Sequence, residues 1–131
     1  MDFNKKMNKV LVVDDNDLSV KIIQQAMTSL GCVVVEAFNG IEGIIKATEE
    51  LPDLIFMDIK MPTMNGIDSM KWIREQSSLK DVPIIAYTAS SLYGDRNKLL
   101  EDGFDDYISK PVTLSGLVEK VGKYLFKKGS A

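Results

Sequence analysis

Short continuous apolar runs alternate with amphipathic stretches along the whole chain. The runs are Val10–Val13, Cys32–Val35, Leu54–Met57 and Pro83–Tyr87, with a weaker fifth at Phe104–Ser109. They are too short for helices, and unbroken apolarity suits strands buried on both faces of a sheet. Between them lie stripes at helical spacing. Leu18, Ile22, Ile23, Ala26, Met27 and Leu30 predict a first helix, with Asn16 or Asp17 placed to cap it and Gly31 to stop it. Ile41, Ile44, Ile45 and Thr48 predict a second after Asn39-Gly40. Ile67, Met70 and Ile73 predict a third after Asn65-Gly66. Asp95–Asp102 has the thinnest stripe and gives a fourth. Leu114, Leu117, Val118, Val121 and Leu125 give the last, with Glu119, Lys120, Lys123 and Lys127 turned to water.

Strand and helix therefore alternate five times. Strands joined through helices pair in parallel by right-handed crossovers, which predicts a three-layer α/β/α sandwich. At 131 residues the chain is expected to be one domain, 1–131, with its core over about 9–126. No repeat, low-complexity segment or linker interrupts the pattern. No apolar run approaches the ~20 residues that span a bilayer, and the N-terminal residues carry no targeting pattern. A cytoplasmic protein with no membrane partner is expected.

Composition narrows the chemistry. There is no histidine, which removes Ser-His-Asp and Cys-His catalysis and any His-ligated zinc. A single cysteine, Cys32, excludes an internal disulfide and suits a reducing compartment. The formal charge of −3 argues against direct nucleic-acid binding. Cys32 is expected as a small core residue, and Trp72 as partial packing beside the third stripe. Met57 and Met70 fit core positions, and Met61 and Met64 the loop after Asp58. The stretch 116–123 looks like a Walker loop, but its glycine spacing is wrong and Tyr124 replaces the required hydroxyl.

The candidate chemistry sits where the runs end. The first ends in Asp14-Asp15, the third in Asp58, the fourth in Thr88 and the fifth in Lys110. In an open parallel sheet, ligands bind beyond the carboxyl ends of the strands. With strand order 2-1-3-4-5, the first and third strands are neighbours and the three carboxylates converge. Packed together they repel, so a cation is required, and an all-oxygen set suits Mg²⁺. Lys110 adds a second positive charge and Thr88 a hydroxyl. A divalent cation, an ammonium and a hydroxyl around one carboxylate form a phosphoryl site, with Asp58 attacking phosphorus in line to give an acyl phosphate.

In order and spacing, Val12-Val13-Asp14-Asp15, Asp53–Asp58, Lys60-Met61-Pro62, Asn65-Gly66, Thr88-Ala89 and Tyr107–Pro111 resemble the receiver domains of two-component response regulators. The resemblance covers Lys9 to about Phe126. It implies a flavodoxin-like five-stranded parallel sheet of order 2-1-3-4-5 with five helices. It implies Asp58 as phosphoacceptor, Asp15 binding Mg²⁺ (or Mn²⁺) directly, Asp14 through water, and Lys60 contributing its backbone carbonyl. Thr88 would contact the phosphoryl group and Lys110 would pair with it. Tyr107 takes the switch-aromatic position, coupled to Thr88. Lys110-Pro111 would be cis. The text around Gly94-Asp95-Arg96 and Asp105–Pro111 is similar to receivers of hybrid kinases and phosphorelays. In the family the lifetime of the phosphorylated state varies with positions such as Lys60 and Ser90.

The implied partners are a histidine kinase or histidine phosphotransfer protein as donor and a downstream target protein. The protein would be a monomer or a phosphorylation-dependent dimer. It would promote its own phosphorylation and dephosphorylation without being a conventional enzyme. Two other readings compete. A small aspartyl-phosphate hydrolase would need an acid two residues after the nucleophile, where Lys60 stands. A receiver-like docking scaffold that is never phosphorylated would be favoured by loss of Mg²⁺ binding.

Overall fold

The structure is a computed structural model that describes residues 7–89 and 96–126. Five strands and five helices alternate in chain order. They are β1 (Lys9–Val13), α1 (Asp17–Ser29), β2 (Val33–Ala37), α2 (Gly40–Glu50), β3 (Leu54–Asp58), α3 (Gly66–Arg74), β4 (Ile84–Thr88), α4 (Arg96–Asp102), β5 (Asp106–Ser109) and α5 (Leu114–Leu125). All strands pair in parallel in the order β2-β1-β3-β4-β5. The expected three-layer sandwich and strand order are what the chain adopts.

Alternation along each strand divides the core in two. Val10, Val12, Leu54, Phe56, Ile85 and Tyr87 face α1 and α5, where they meet Ile23, Met27, Leu117 and Val121. Leu11, Val13, Ile55, Met57, Ile84 and Ala86 face the other helices, against Ala47, Met70, Ile73 and Leu99. Every residue of β3 and β4 is buried, as their unbroken apolar runs require.

The helices start where side chains satisfy their free N–H groups. Asn16, Asn39, Asn65 and Thr113 accept from the backbone of Ser19, Glu42, Asp68 and Gly116. The first helix gives way to Gly31, at φ 80°. Strand boundaries move slightly from expectation. Cys32 is buried but precedes β2, β4 runs through Thr88, and Phe104 is a core anchor ahead of β5. Met57 and Met70 are core residues, as expected.

Some stripe residues face outward instead. Leu18 is 69% exposed, and Val20 is buried in its place. On α2, Ile41 and Ile45 are exposed, and the inward face is Gly40, Gly43 and Ala47. The reason is spacing. A Cβ on Gly43 would lie 3.0 Å from both Val13 methyl carbons, so only a small residue lets α2 sit this close to β1. Leu114 and Val118 are likewise exposed, and Trp72, 53% exposed, is only partly packed. Asp95, Ser90, Gly94, Lys127 and Lys128 lie outside the described residues.

Lys120 also departs from expectation. Its ammonium lies 2.8 Å from Asp106 Oδ1, and Asp106 is buried at the start of β5. Tyr124 donates to Asp106 Oδ2 at 3.0 Å, and Lys123 stands 3.7 Å away. Burial opposes charge on Asp106, but the Lys120 and Tyr124 bonds and the Tyr107 N–H outweigh it and hold its carboxyl below the usual range. Asp106→Asn is expected to cost about 1–3 kcal/mol in urea unfolding, by weakening charge-assisted bonds between β5 and α5. This cluster lies at the start of β5, the opposite end of the strand from Lys110.

Candidate phosphoryl and metal site

Parity and register build the site. Val10 and Val12 share a sheet face, so the next residue of that parity after β1 is Asp14. Leu54 and Phe56 lead in the same way to Asp58, and Ile85 to Tyr87. Asp58 pairs in register with Tyr87, and the Asp14 N–H extends the β1 ladder to the Ala37 carbonyl at 3.0 Å. Three polar groups from three strands thus reach the carboxyl edge on one face. Asp15 takes the opposite parity and is exposed.

Carboxylate oxygens of Asp14, Asp15 and Asp58 lie within 4.8 Å of one another. Asp14 is 0% exposed and Asp58 5%. Lys110 Nζ stands 3.0 Å from Asp14 Oδ2 and 3.6 Å from Asp58 Oδ2. The Lys110 N–H is bonded to the Thr88 carbonyl at 3.0 Å, and the Lys110-Pro111 peptide is cis. A cleft of about 450 Å³ opens over this group, and Asp15, Asp58, Lys60, Thr88 and Lys110 line it. The sequence-predicted residues are therefore brought together. Tyr107 is the exception: it lies on β5 beside Ala86, half-buried against the face that holds α2, α3 and α4, and away from the cleft lining.

Backbone contacts fix Asp58. The Gly66 N–H donates to the Ile59 carbonyl at 2.8 Å, tying the start of α3 to the loop after β3. A Cβ on Gly66 would fall 2.0 Å from the Asp58 carbonyl oxygen. The Asn65-Gly66 pair thus serves the site as well as the helix start: asparagine caps, and glycine lets α3 pass directly over Asp58.

The charges are unequal. Burial and the neighbouring Asp14 charge push the Asp58 carboxyl up to about 7, with Lys110 opposing. Burial also works against charge on Asp14. Hydrogen bonds from Tyr87 and Lys110, with one shared with Asp58 and one from the Asn16 N–H, win and hold it below the usual range. The two carboxylates are thus one coupled unit, with Asp14 ionised and Asp58 the group that keeps a proton longest. An all-oxygen set that carries more negative than positive charge fits a hard divalent cation.

Two participants escape sequence reading. Tyr87 reads as the end of an apolar run, yet its hydroxyl donates to Asp14 Oδ2 and its ring centroid lies 4.7 Å from Lys110 Nζ. Burial and the Asp14 charge push that hydroxyl's pKa upward, so it stays a donor. Asn16 reads as a helix cap, and it also gives its N–H to Asp14 Oδ1 at 3.0 Å. A tyrosine at a strand end next to a carboxylate-bearing strand was the available signal for the first.

Residues 10–122 match the family model of the response regulator receiver domain. The polar-differentiation response regulator DivK of Brucella anthropi is 34% identical over 116 residues, 88% of this chain and 94% of that protein. Among solved structures, the chemotaxis protein CheY4 of Vibrio cholerae superposes with a TM-score of 0.84 at 28% identity, covering 92% of this chain and all of that one. The receiver domain of the sensor histidine kinase PA1611 of Pseudomonas aeruginosa gives 0.83 at 32%, covering 93% and 100%. That structure holds a magnesium ion coordinated in its active site cleft. No helix among the described residues is long and apolar enough to cross a membrane. With sheet order, acidic cleft and family match in agreement, this chain belongs to the response regulator receiver domains, whose general function is phosphorylation-dependent switching.

Proposed function

We propose that residues 1–131 act as a single receiver domain in the cytoplasm and that Asp58 is its phosphoacceptor. The observation that carries this reading is Asp58 itself. It is a nearly buried carboxylate at the end of β3, within 4.8 Å of two others and 3.6 Å from an ammonium. An Asp58 oxygen attacks the phosphorus of a partner's phosphohistidine. The P–O bond forms as the P–N bond breaks, and the imidazole leaves and takes up a proton. The donor is a histidine kinase or a histidine phosphotransfer protein, since this chain has no histidine of its own.

Asp15, Asp58 and the Lys60 carbonyl would hold Mg²⁺ (or Mn²⁺), with Asp14 acting through water; the support is that carboxylate oxygens of all three aspartates lie within 4.8 Å of one another. The cation, when bound, offsets charge on the phosphoryl oxygens. Lys110 pairs with the phosphoryl group from the other side, and the Thr88 hydroxyl donates to it. Thr88 and Tyr107 then shift together and change the surface that a downstream protein reads. Dimerisation on phosphorylation is compatible with that surface change.

Intact mass after incubation with Mg²⁺ and acetyl phosphate tests this reading. Wild type should gain one phosphoryl group, as the P–O bond to acetate breaks. Asp58→Asn and a chelator-treated sample should gain none. An unlabelled wild type that also fails to bind beryllofluoride, a non-hydrolysable phosphoryl mimic, would leave the docking scaffold as the better account.

A further inference from the structure

We propose that Tyr87 is a positioning residue for Lys110: its hydroxyl keeps Asp14 satisfied while the ammonium turns toward the phosphoryl group on Asp58. This rests on Asp58 being the acceptor. The argument is a count of donors. Asp14 Oδ1 accepts from the Asn16 N–H at 3.0 Å. Asp14 Oδ2 accepts from both Tyr87 Oη and Lys110 Nζ, the latter at 3.0 Å. Lys110 is therefore engaged with Asp14 more closely than with Asp58, 3.6 Å away.

To pair with a phosphoryl group on Asp58, the ammonium must loosen from Asp14. Asp14 is completely buried, so no bulk water replaces a lost donor. A buried acceptor left without a partner is costly, and an ionised one more so. The Tyr87 hydroxyl lowers that cost, because Oδ2 keeps one strong donor after Lys110 turns away, while the ammonium, still beside the pair at Asp58, continues to offset part of the charge. The ring assists, since the ammonium lies 4.7 Å from its centroid and stays over an aromatic face as it moves.

Tyr87 is fixed for this task. It is fully buried, paired in register with Asp58, and packed edge-to-face on Phe56 at 6.2 Å and 81°. Its phenol is thus aimed by packing. Phenylalanine would keep the ring and the packing and lose only the hydroxyl. Asp14 would then depend on Lys110 for Oδ2, and the ammonium would be held back from Asp58.

The test measures phosphorylation rate with acetyl phosphate at saturating Mg²⁺ in wild type, Tyr87→Phe, Lys110→Ala and the double variant. Tyr87→Phe should label about tenfold more slowly, as expected for one buried donor. In the Lys110→Ala background the same substitution should have no further effect, because there is no ammonium left to release. Equal rates for wild type and Tyr87→Phe, or losses that multiply in the double variant, would overturn the proposal while leaving Asp58 as acceptor. An unlabelled wild type would overturn the proposed function and this inference with it. A second readout needs no variant. In wild type the Tyr87 hydroxyl proton should give a slowly exchanging NMR signal that persists on adding Mg²⁺ and beryllofluoride, while the Lys110 ammonium signal shifts. Loss of the hydroxyl signal on that addition would overturn the proposal equally.

Discussion

Asp58→Asn should make the metal-free protein more stable, by about 2–4 kcal/mol at pH 8, the upper figure being the whole of the shift and the lower allowing for burial of the new amide. The substitution removes the group proposed for the chemistry, so a gain in stability marks the site as strained for its task. Asp58 is nearly buried beside ionised Asp14, and one ammonium serves both. Its carboxyl is pushed from an ordinary 3.8 up to about 7, by burial first and by the Asp14 charge second. Between those values the unfolded chain has released a proton that the folded protein keeps. Folding is therefore opposed increasingly as pH rises from about 4 to 7, and the full cost is present above that. Urea unfolding of metal-free wild type should show stability falling across this window. The Asp58→Asn profile should lack that fall, so the two curves diverge with rising pH. Mg²⁺ should narrow the gap at pH 8, because a ligand that binds only the folded protein stabilises it by mass action. A variant no more stable than wild type at pH 8 would mean that Lys110 already neutralises the pair.

The same charge balance shows why some of the site was legible in the sequence. Asp14, Asp58 and Thr88 each close an unbroken apolar run, and a buried parallel strand can end in a polar residue only where it emerges from the sheet. Position along the chain therefore gave position in space, once the first and third strands were neighbours. Lys110 followed by the same logic. Tyr87 did not, because a tyrosine in such a run reads as apolar. Its hydroxyl acquires meaning only from Asp14, 73 residues earlier and two strands away. Asp106 was hidden differently. Asp105-Asp106 lies inside the weak fifth run with no partner visible in the sequence, and the partners of the buried Asp106, Lys120 and Tyr124, arrive from α5. On α2 the large side chains misled, since the inward face was set by glycine and alanine. Strand patterns encode burial directly. Helix patterns encode it only when the distance to the neighbouring layer is known.

Lys110→Ala should act in the opposite sense to Asp58→Asn and by more, costing about 3–5 kcal/mol near neutral pH. Asp14 is completely buried and ionised, and Lys110 is its closest charged partner, at 3.0 Å. Removing the ammonium leaves Tyr87 and the Asn16 N–H as neutral donors to Asp14, with a second carboxylate alongside. Neutral donors satisfy geometry, but they do not offset a net charge in a low-dielectric setting. The loss should therefore shrink when the charge itself is reduced. It should be smaller below the Asp58 value of about 7, where that carboxyl keeps its proton. It should also be smaller in an Asp58→Asn background, with a coupling of at least about 1 kcal/mol in a double-mutant cycle read by urea unfolding. Saturating Mg²⁺ should restore part of the lost stability by supplying the missing positive charge. A cost below about 1 kcal/mol, the range of exposed ion pairs, would contradict the placing of Lys110 as counter-ion to a buried carboxylate. The two substitutions together thus separate repulsion between Asp14 and Asp58 from attraction to Lys110. Those are the opposed forces that hold the cleft ready for an added cation and an added phosphoryl group.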